Sequence, residues 1–454
     1  MLKNSRTPIR FTRRRLLAAG AGALAVSALP AGLCLSGCAS TDAADAAEAS
    51  LTADVQPLGQ DSFEAYVRDT REWIAKRRHF VTANRALELD RNAPSETRPD
   101  PDAIPTAEPL RGILLIHGLG DSPWSFTDVA PRLAQAGILA RTVLLPGCGT
   151  RPEDMVKPTA DDWRRVVREQ SEILRRDLTA EAARTGRPGA EVWLGGFSTG
   201  CNLALEFAAQ NAWIAGLVLF SPAFAVRTRL SFLATLAAPV MTWLRSPEKS
   251  LGSGQTALKY TTVPVDGLAA FVSTMDAAQD ALEDRAFDRP AILAMSERDS
   301  VVDTQAVLRE AARRFTSPAS RFLWYGAEYS GRDLSGSDPR LRVLADRIES
   351  ERITSFSHMA LTYSPENPEY GRRGESRLCI PGDAQKGARP SAEACLRAGP
   401  EGLWYGAWGD PHRSSESRAA GGAYARLTFN PWFEAQMRMI VEVMTEAAKT
   451  APQR

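Results

Sequence analysis

The 454-residue chain is poor in the residues from which metal and redox centres are built. It has six cysteines and only four histidines, which are scattered along the chain: His79, His117, His358 and His412. A protein metal site needs three or four such ligands brought together. The sequence therefore implies no metal, and it implies no organic cofactor.

The chain also lacks a large excess of charge of either sign. Its 55 basic and 54 acidic residues give a net charge of +1. Six basic residues and no acidic one lie in residues 1–37, which leaves 49 basic against 54 acidic residues in the rest of the chain. A nucleic-acid partner would require a basic face, so this balance argues against one.

Long apolar runs are confined to the N-terminus. A basic segment ending at Arg15 precedes an Ala-, Leu- and Gly-rich run up to about Leu35, and Leu35-Ser36-Gly37-Cys38 follows. A basic region followed by a modest apolar run is typical of a signal peptide. Leu35–Cys38 resembles the lipobox of bacterial lipoproteins, in which the cysteine is acylated and becomes the new N-terminus.

We therefore expect residues 1–37 to be a lipoprotein signal peptide and Cys38 to carry lipid. The protein would then be exported and anchored to a membrane of the bacterial cell envelope, facing the periplasm or the surface. Arg13-Arg14 resembles the twin-arginine export signal. An uncleaved membrane anchor is the alternative, because the apolar run is just long enough to span a bilayer.

Four cysteines lie beyond the signal and the lipid site: Cys148, Cys201, Cys379 and Cys395. An even number in an oxidising compartment predicts two disulfides. Cys379 and Cys395 are close in sequence within a Gly- and Pro-rich stretch and form the natural first pair. The other two would then pair with each other, and four free thiols are the alternative.

Apolar runs alternate with helical patterns from residue 112 onward. The predicted strands are 112–116, 138–145, 192–194, 214–220, 291–295 and 321–325. The predicted helices include 61–80, 125–136, 161–176, 199–210, 303–315, 339–349 and 431–448. This alternation predicts a parallel sheet covered by helices on both faces.

The strongest chemical signal is the pentapeptide Gly196-Phe197-Ser198-Thr199-Gly200, of the form G-x-S-x-G. It lies between a predicted strand and a predicted helix. This is the context in which the motif presents a nucleophilic serine on a tight turn. Ser198 is therefore the predicted nucleophile.

A serine nucleophile needs a base, and the base needs an orienting carboxylate. In this context the order along the chain is Ser, acid, His, which removes His79 and His117. His358, after the last predicted core strand, is favoured over His412. Asp299 lies just past the C-terminal end of the strand 291–295 and is the favoured acid. Asp303 is expected to cap a helix, and Glu297 is a third candidate.

His117-Gly118-Leu119-Gly120 follows the first predicted core strand. The loop after that strand and the residue after the nucleophile supply the two backbone N–H groups of an oxyanion hole. We therefore expect Leu119 and Thr199 to supply them. His117 is interpreted as a structural residue that braces the loop.

Together with Leu145-Pro146-Gly147-Cys148-Gly149-Thr150, these motifs resemble those of monoacylglycerol-lipase-like and carboxylesterase-like α/β hydrolases. The resemblance covers roughly residues 110–225 and 288–363. It implies an α/β-hydrolase fold, with a mostly parallel central sheet between helices. It also implies a helical cap insertion at about 223–288, and ordinary helices that cover the sheet are the alternative. Residues 39–60 are Ala-, Asp- and Thr-rich and lack periodicity, so we expect a flexible tether at 38–60 before a domain at 61–454. An extension at about 364–430 lies outside the resemblance.

Two positions depart from that family pattern. Relatives usually carry His where Cys148 stands and a small residue where Cys201 stands. Both loops converge on the nucleophile in this fold, so we expect a disulfide between the two cysteines that braces the site. A reactive cysteine is the alternative, and it would require a lowered thiol pKa.

The resemblance implies hydrolysis of a small acyl ester through an acyl-enzyme intermediate. Acyl transfer and thioester cleavage could use the same triad. A further alternative is a non-catalytic lipoprotein that kept the fold and binds a ligand. The expected partners are the acyl ester substrate and a membrane contacted through the N-terminal lipid, without nucleic acid or metal.

Overall fold

The computed structural model describes residues 55–100, 104–105, 107–225, 243–245, 254–327, 338–379, 402–408 and 423–450. The predicted signal peptide, Cys38 and most of the tether lie outside the described residues, as do Cys395 and His412. The lipid anchor and the Cys379–Cys395 disulfide therefore stay predictions. No helix within the described ranges combines the length and the apolar character needed to cross a bilayer.

The elements of the described chain begin with the N-terminal helices α1 and α2. The helices are α1 Phe63–Arg77, α2 Arg85–Asn92, α3 Val129–Gln135, α4 Ala160–Arg184, α5 Thr199–Gln210, α6 Val265–Asp284, α7 Thr304–Arg314 and α8 Phe433–Thr450. The strands are β1 Glu96–Thr97, β2 Leu110–Ile116, β3 Ile138–Val143, β4 Ala190–Phe197, β5 Ile214–Phe220, β6 Trp243–Arg245, β7 Thr262–Pro264, β8 Ala291–Ser296, β9 Arg321–Tyr325, β10 Leu341–Leu344, β11 Leu403–Gly406 and β12 Ala423–Arg426. Short 3-10 helices lie at Pro123–Phe126, Pro152–Met155 and Glu349–Glu351.

The central sheet has the strand order β1-β3-β2-β4-β5-β8-β9-β10. The edge strand β1 is antiparallel to β3, and the other neighbouring strands run parallel. The chain leaves β2 toward β3 and returns on the other side to β4. The order therefore reverses at β2, and the crevice at the carboxyl ends of β2 and β4 is where open α/β sheets bind ligands.

The sheet is buried on both faces, which explains its continuous apolar strands. On one face of β2, Leu114 and Ile116 belong to the same core as Trp163 of α4. On the other face, Ile113 and Leu115 pack in a second core, to which α3 and α8 also contribute. Two-sided burial of this kind is typical of parallel sheets, and the predicted fold class is confirmed.

The prediction of a helix at 339–349 is wrong. Residues Leu341–Leu344 form β10, which pairs in parallel with β9 at the edge of the sheet. The run is short and only its ends, Leu341 and Leu344, are partly buried. An edge strand with so little buried surface carries too weak a periodic pattern to be distinguished from a short helix.

The insertion after β5 is described only in part. Residues 226–242 and 246–253 lie outside the described residues, and Trp243–Arg245 form strand β6, which is antiparallel to β7. Helix α6 packs against α5, where Asn202 Nδ2 donates to Thr274 Oγ1 at 3.3 Å. This part of the insertion therefore packs on α5, and the cap itself stays a prediction.

Candidate active site

Ser198 lies on the turn between β4 and α5 with φ 54° and ψ −113°, a conformation that few non-glycine residues adopt. A Cβ at Gly200 would lie 1.9 Å from Ile116 O, and a Cβ at Gly196 would lie 2.4 Å from Cys201 N. Only glycine fits at these two positions, because the neighbouring backbone passes too close. The turn thus has the local geometry that the pentapeptide predicts.

Asp299 follows β8 and is fully buried. Its Oδ2 lies 2.6 Å from His358 Nδ1, and its Oδ1 accepts hydrogen bonds from the amides of Val301 (2.8 Å) and Val302 (2.9 Å). Burial by itself raises the pKa of this carboxyl group. The positive charge and the hydrogen bond of His358, together with the two amides, outweigh that effect and lower the pKa below its usual value.

The other two candidate carboxylates contact different groups. Asp303 accepts from Ala306 N at 3.1 Å and caps α7, as the sequence predicts. Glu297 Oε2 accepts from Ala327 N at 2.8 Å. Asp299 is therefore the acidic residue that the structure brings to His358.

His358 packs against Phe197, the residue before Ser198 in the serine turn, and the two ring centroids are 5.2 Å apart. The loop of His358 is attached to the sheet by Ser221, whose Oγ donates to His358 O at 2.8 Å. Ser221 directly follows β5 and has φ 47°. Sequence reasoning missed this residue, although a polar residue after a buried strand next to the nucleophile's strand was a usable signal.

The loop after β2 lies beside Ser198, because β2 and β4 are neighbours with Ile116 opposite Gly196. A Cβ at Gly118 would lie 3.3 Å from Ser198 Cβ. Within the described part of the chain, the amides of Leu119 and Thr199 donate no backbone hydrogen bond. The two expected oxyanion donors therefore stand on the two loops that meet at Ser198.

His117 braces this loop, as its position predicts. Its Nδ1 lies 2.8 Å from Gly118 O, and its Nε2 accepts from Leu145 N at 3.0 Å. Complete burial lowers the pKa of His117 to about 4. The imidazole is therefore neutral at neutral pH, and it links the loop after β2 to the chain after β3.

The predicted disulfide between Cys148 and Cys201 is wrong, because both residues are free, buried thiols. Cys201 Sγ donates to Gly196 O (3.1 Å) and Phe220 O (3.3 Å), so it faces the ends of β4 and β5. Cys148 instead contacts the backbone of Gly120. Burial raises the pKa of both thiols, which also argues against a reactive cysteine.

The C-terminal extension also binds the loop of His358, a role that sequence reasoning missed. Thr354 N donates to Tyr405 O of β11 at 2.9 Å, and Ser357 Oγ donates to Leu427 O at 2.5 Å. Strands β11 and β12 pair in parallel. Tyr405 of β11 also packs against Phe429, with the ring centroids 5.5 Å apart.

The sheet, the serine turn and the buried His–Asp pair together define the α/β-hydrolase fold. Residues 107–329 match the family model of serine aminopeptidase S33. This match supports a serine hydrolase of the α/β-hydrolase fold. A comparison with curated proteins gives no match.

Solved structures to which the chain is similar include several lipolytic enzymes. A structure from work on the metagenome-derived lipolytic enzymes LipS and LipT is 23% identical, with a TM-score of 0.38, and the alignment covers 50% of this chain and 89% of that one. A soluble variant of monoglyceride lipase from Saccharomyces cerevisiae is 15% identical, with a TM-score of 0.38 and coverage of 52% and 82%. The monoacylglycerol lipase of Paleococcus ferrophilus is 15% identical, with a TM-score of 0.38 and coverage of 52% and 88%.

Proposed function

We propose that the protein is a serine hydrolase that cleaves acyl esters with Ser198 as nucleophile, His358 as base and Asp299 as the orienting acid. The observation that carries this proposal is the buried 2.6 Å contact between His358 and Asp299 beside the serine turn. Those two residues are 59 positions apart. Their meeting next to a strained serine is the arrangement that nucleophilic acyl chemistry requires.

The proposed mechanism follows from the charge of Asp299. Its lowered pKa keeps the carboxylate ionised, so it accepts a hydrogen bond from Nδ1–H of His358 and leaves the Nε2 lone pair for the serine hydroxyl. Ser198 Oγ attacks the ester carbonyl as its proton moves to Nε2. The imidazolium then protonates the leaving alcohol, and water releases the acyl group by the reverse proton path.

The tetrahedral intermediate places a negative charge on the former carbonyl oxygen. We assign its stabilisation to the backbone amides of Leu119 and Thr199, on the two loops that meet at Ser198. Fixed donors of this kind lower the barrier because they need no reorganisation when the charge develops, and each contributes about 3 kcal/mol. The two donors would stabilise the intermediate of ester hydrolysis. They would serve equally well in thioester cleavage or in transfer of the acyl group to an acceptor other than water.

The sequence also leads us to propose where the reaction takes place. The basic and apolar N-terminus and Leu35-Ser36-Gly37-Cys38 favour export and lipidation at Cys38. The enzyme would then act outside the cytoplasm, anchored to a membrane of the cell envelope.

A fluorophosphonate probe and a panel of p-nitrophenyl esters test the catalytic proposal. Wild-type protein should be labelled and should hydrolyse esters, and Ser198→Ala should abolish both activities. Asp299→Asn should lower kcat by about 10⁴-fold, because the imidazole loses the partner that holds its tautomer.

Ser171→Ala is the matched control, since Ser171 is a buried serine on α4, and it should keep both activities. A wild-type protein that is folded but takes no label would contradict the proposal and favour a binding protein of the same fold. Labelling without hydrolysis of any ester would favour thioester cleavage or acyl transfer.

A further inference from the structure

The expected oxyanion donor Leu119 is the second residue of a tight turn, Gly118–Asp121, here called the oxyanion turn. Asp121 N donates to Gly118 O at 3.2 Å, and Gly120, the third residue, has φ 66°. A positive φ at the third residue is typical of a type II turn, which favours glycine there. The amide of the second residue takes no part in the hydrogen bond that closes such a turn. The direction of the Leu119 N–H therefore depends on what holds the turn as a whole.

Tyr260 contacts the oxyanion turn from a distant part of the chain. Its backbone N–H donates to Gly120 O at 2.7 Å. A Cβ at Gly120 would lie 3.3 Å from Tyr260 Cβ and 3.4 Å from Cγ2 of Val263. The carbonyl oxygen of Gly118 lies 2.8 Å from His117 Nδ1. The turn is therefore held at its first residue by His117 and at its third residue by Tyr260.

The phenol of Tyr260 is itself fixed by the loop after β3. It is buried, donates to Gly147 O at 3.0 Å and accepts from Thr150 N at 2.9 Å. A phenol has one donor and also acts as an acceptor, so both of its functions are used. A Cβ at Gly147 would lie 2.8 Å from Cα of Met155. Tyr260 thus joins the oxyanion turn to a closely packed loop.

Arg78, which precedes the part of the chain that matches the family model, supports both sides of this connection. Its guanidinium donates to Gly149 O (2.8 Å) in the loop after β3 and to Ala257 O (2.9 Å) shortly before Tyr260. It also pairs with Glu88 at 2.7 Å, and both side chains are about 1% exposed. Charge-assisted hydrogen bonds of this kind are stronger than neutral ones. They hold the loop and the segment before Tyr260 in a fixed relation.

We propose that Tyr260 is a positioning residue of the oxyanion hole, whose phenol and backbone N–H together fix the direction of the Leu119 amide. This inference rests on the proposed ester hydrolysis. Tyr260 acts in this role through the oxyanion turn and touches no reacting atom. Donors that point at the developing oxyanion bind the transition state more tightly than the substrate. A displaced Leu119 amide should therefore lower kcat and leave KM nearly unchanged.

Tyr260→Phe tests the proposal, because it removes the phenol hydroxyl and keeps the ring. The segment that binds the oxyanion turn then loses its attachment to Gly147 O and Thr150 N. We expect kcat for p-nitrophenyl butyrate to fall at least about tenfold and KM to change by less than about twofold, since a displacement of about 1 Å can cost about a hundredfold in rate.

A trifluoromethyl ketone with a hexyl chain gives a readout that a loss of stability alone would not change. Ser198 Oγ adds to its carbonyl carbon, the hydroxyl proton passes to His358, and the ketone oxygen becomes an oxyanion. Its Ki should rise in Tyr260→Phe by the factor by which kcat/KM falls, because both report binding of the tetrahedral oxyanion. The Ki of the corresponding trifluoromethyl alcohol, which cannot form this adduct, should stay the same.

Tyr66→Phe is the matched control. Tyr66 is also buried, and its phenol pairs with the backbone in the same way, donating to Leu144 O at 3.2 Å and accepting from Leu144 N at 3.0 Å. The control should lower the free energy of unfolding in urea about as much as Tyr260→Phe does. It should leave kcat and the Ki of the ketone unchanged.

Arg78→Lys tests the same support from its other end. A lysine keeps a positive charge opposite Glu88 but lacks the planar fork that serves several carbonyl groups at once. In this variant kcat should fall and the Ki of the ketone should rise together, by a smaller factor than in Tyr260→Phe.

A Tyr260→Phe variant that is less stable but keeps the wild-type kcat and ketone Ki would overturn the assignment. A fall in kcat without a matching rise in the ketone Ki would also contradict it, as would equal losses of kcat in Tyr66→Phe. A wild-type protein that neither takes the fluorophosphonate nor hydrolyses the ester would instead overturn the proposed function.

Discussion

His117 lies in the loop beside Ser198, the proposed nucleophile, but this histidine takes no part in the proposed chemistry. It is fully buried, with its Nδ1 at Gly118 O and its Nε2 accepting from Leu145 N. Each ring nitrogen therefore has a backbone partner in the neutral form. Protonation would add a second N–H donor facing the Leu145 amide and would bury a charge, which explains the direction of its pKa shift.

The buried His117 predicts a specific loss of stability in acid. Its pKa is about 4 in the folded protein and about 6.5 when unfolded, so only the unfolded chain binds its proton between these values. The contribution of the neutral, buried imidazole to the free energy of unfolding is complete above pH 6.5 and is lost as the pH falls through 4. The total change is about 3 kcal/mol. Urea unfolding at a series of pH values should show a correspondingly smaller loss in His117→Gln.

His79→Gln is the matched control for that measurement, because His79 is an exposed histidine in the same domain. It should leave the pH dependence of the free energy of unfolding as in the wild type. Parallel curves for wild type and His117→Gln across this range would contradict the prediction.

At the scale of elements, the His358 loop is held between the central sheet and the small β11–β12 sheet. Ser221 and Ser296 bind the loop from the carboxyl ends of β5 and β8, where their hydroxyls donate to His358 O and Phe356 O. Ser357 attaches the loop to the residue that follows β12, because its hydroxyl donates to Leu427 O. The position of the imidazole thus depends on two sheets that are far apart in sequence.

Removal of the Ser357 hydroxyl should therefore affect catalysis as well as stability. Ser357→Ala leaves Leu427 O without this donor in a buried position, which should cost about 1–3 kcal/mol of unfolding free energy. The loop should also shift, and kcat should fall about tenfold or more while KM changes little. Steady-state kinetics and urea unfolding on the same preparation measure both effects.

Ser364→Ala provides the comparison, since the Ser364 hydroxyl contacts Glu366 N further along the same stretch. It should lower stability without lowering kcat. A Ser357→Ala variant with reduced stability and a normal kcat would show that the residue supports the fold alone.

At the scale of the whole molecule, the described chain is an α/β-hydrolase core with two additions. The family match begins at residue 107 and ends at 329. The earlier residues include Arg78, which pairs with Glu88 and donates to the backbone oxygens of Thr256 and Ala257. The later residues include His358 and Leu427, whose backbone oxygen accepts from Ser357 in the loop of His358. The first addition is therefore bound to the core, and the second is bound to the loop of His358.

The proposed anchor gives a prediction for the complete chain. In a bacterial host, Cys38→Ala should abolish lipid incorporation and release the enzyme from the membrane fraction, because a thiol is required for acylation. Fractionation and labelling with radioactive palmitate measure this. Cys34→Ala, inside the predicted signal peptide, should behave as the wild type, and retention of Cys38→Ala in the membrane would contradict the lipoprotein proposal and favour an uncleaved anchor.

The sequence by itself determined the features that depend on local sterics and on chain order. The serine turn follows from glycines at 196 and 200, which the backbone around Ile116 and Cys201 requires. The boundaries of α5 and β5 agree with prediction, because their apolar patterns are long and unambiguous. The pairing of Asp299 with His358 was predictable because few histidines follow the serine.

Only the tertiary structure decided which distant residues meet. It separates Cys148 from Cys201 by directing each thiol to a different backbone partner, and it makes an edge strand of 341–344. It also brings Arg78 to residues 178 and 179 positions away, and Lys259 to Met359, 100 positions away. Periodicity reports only how one segment faces the core, whereas such contacts depend on the order of the strands and the paths of the loops between them.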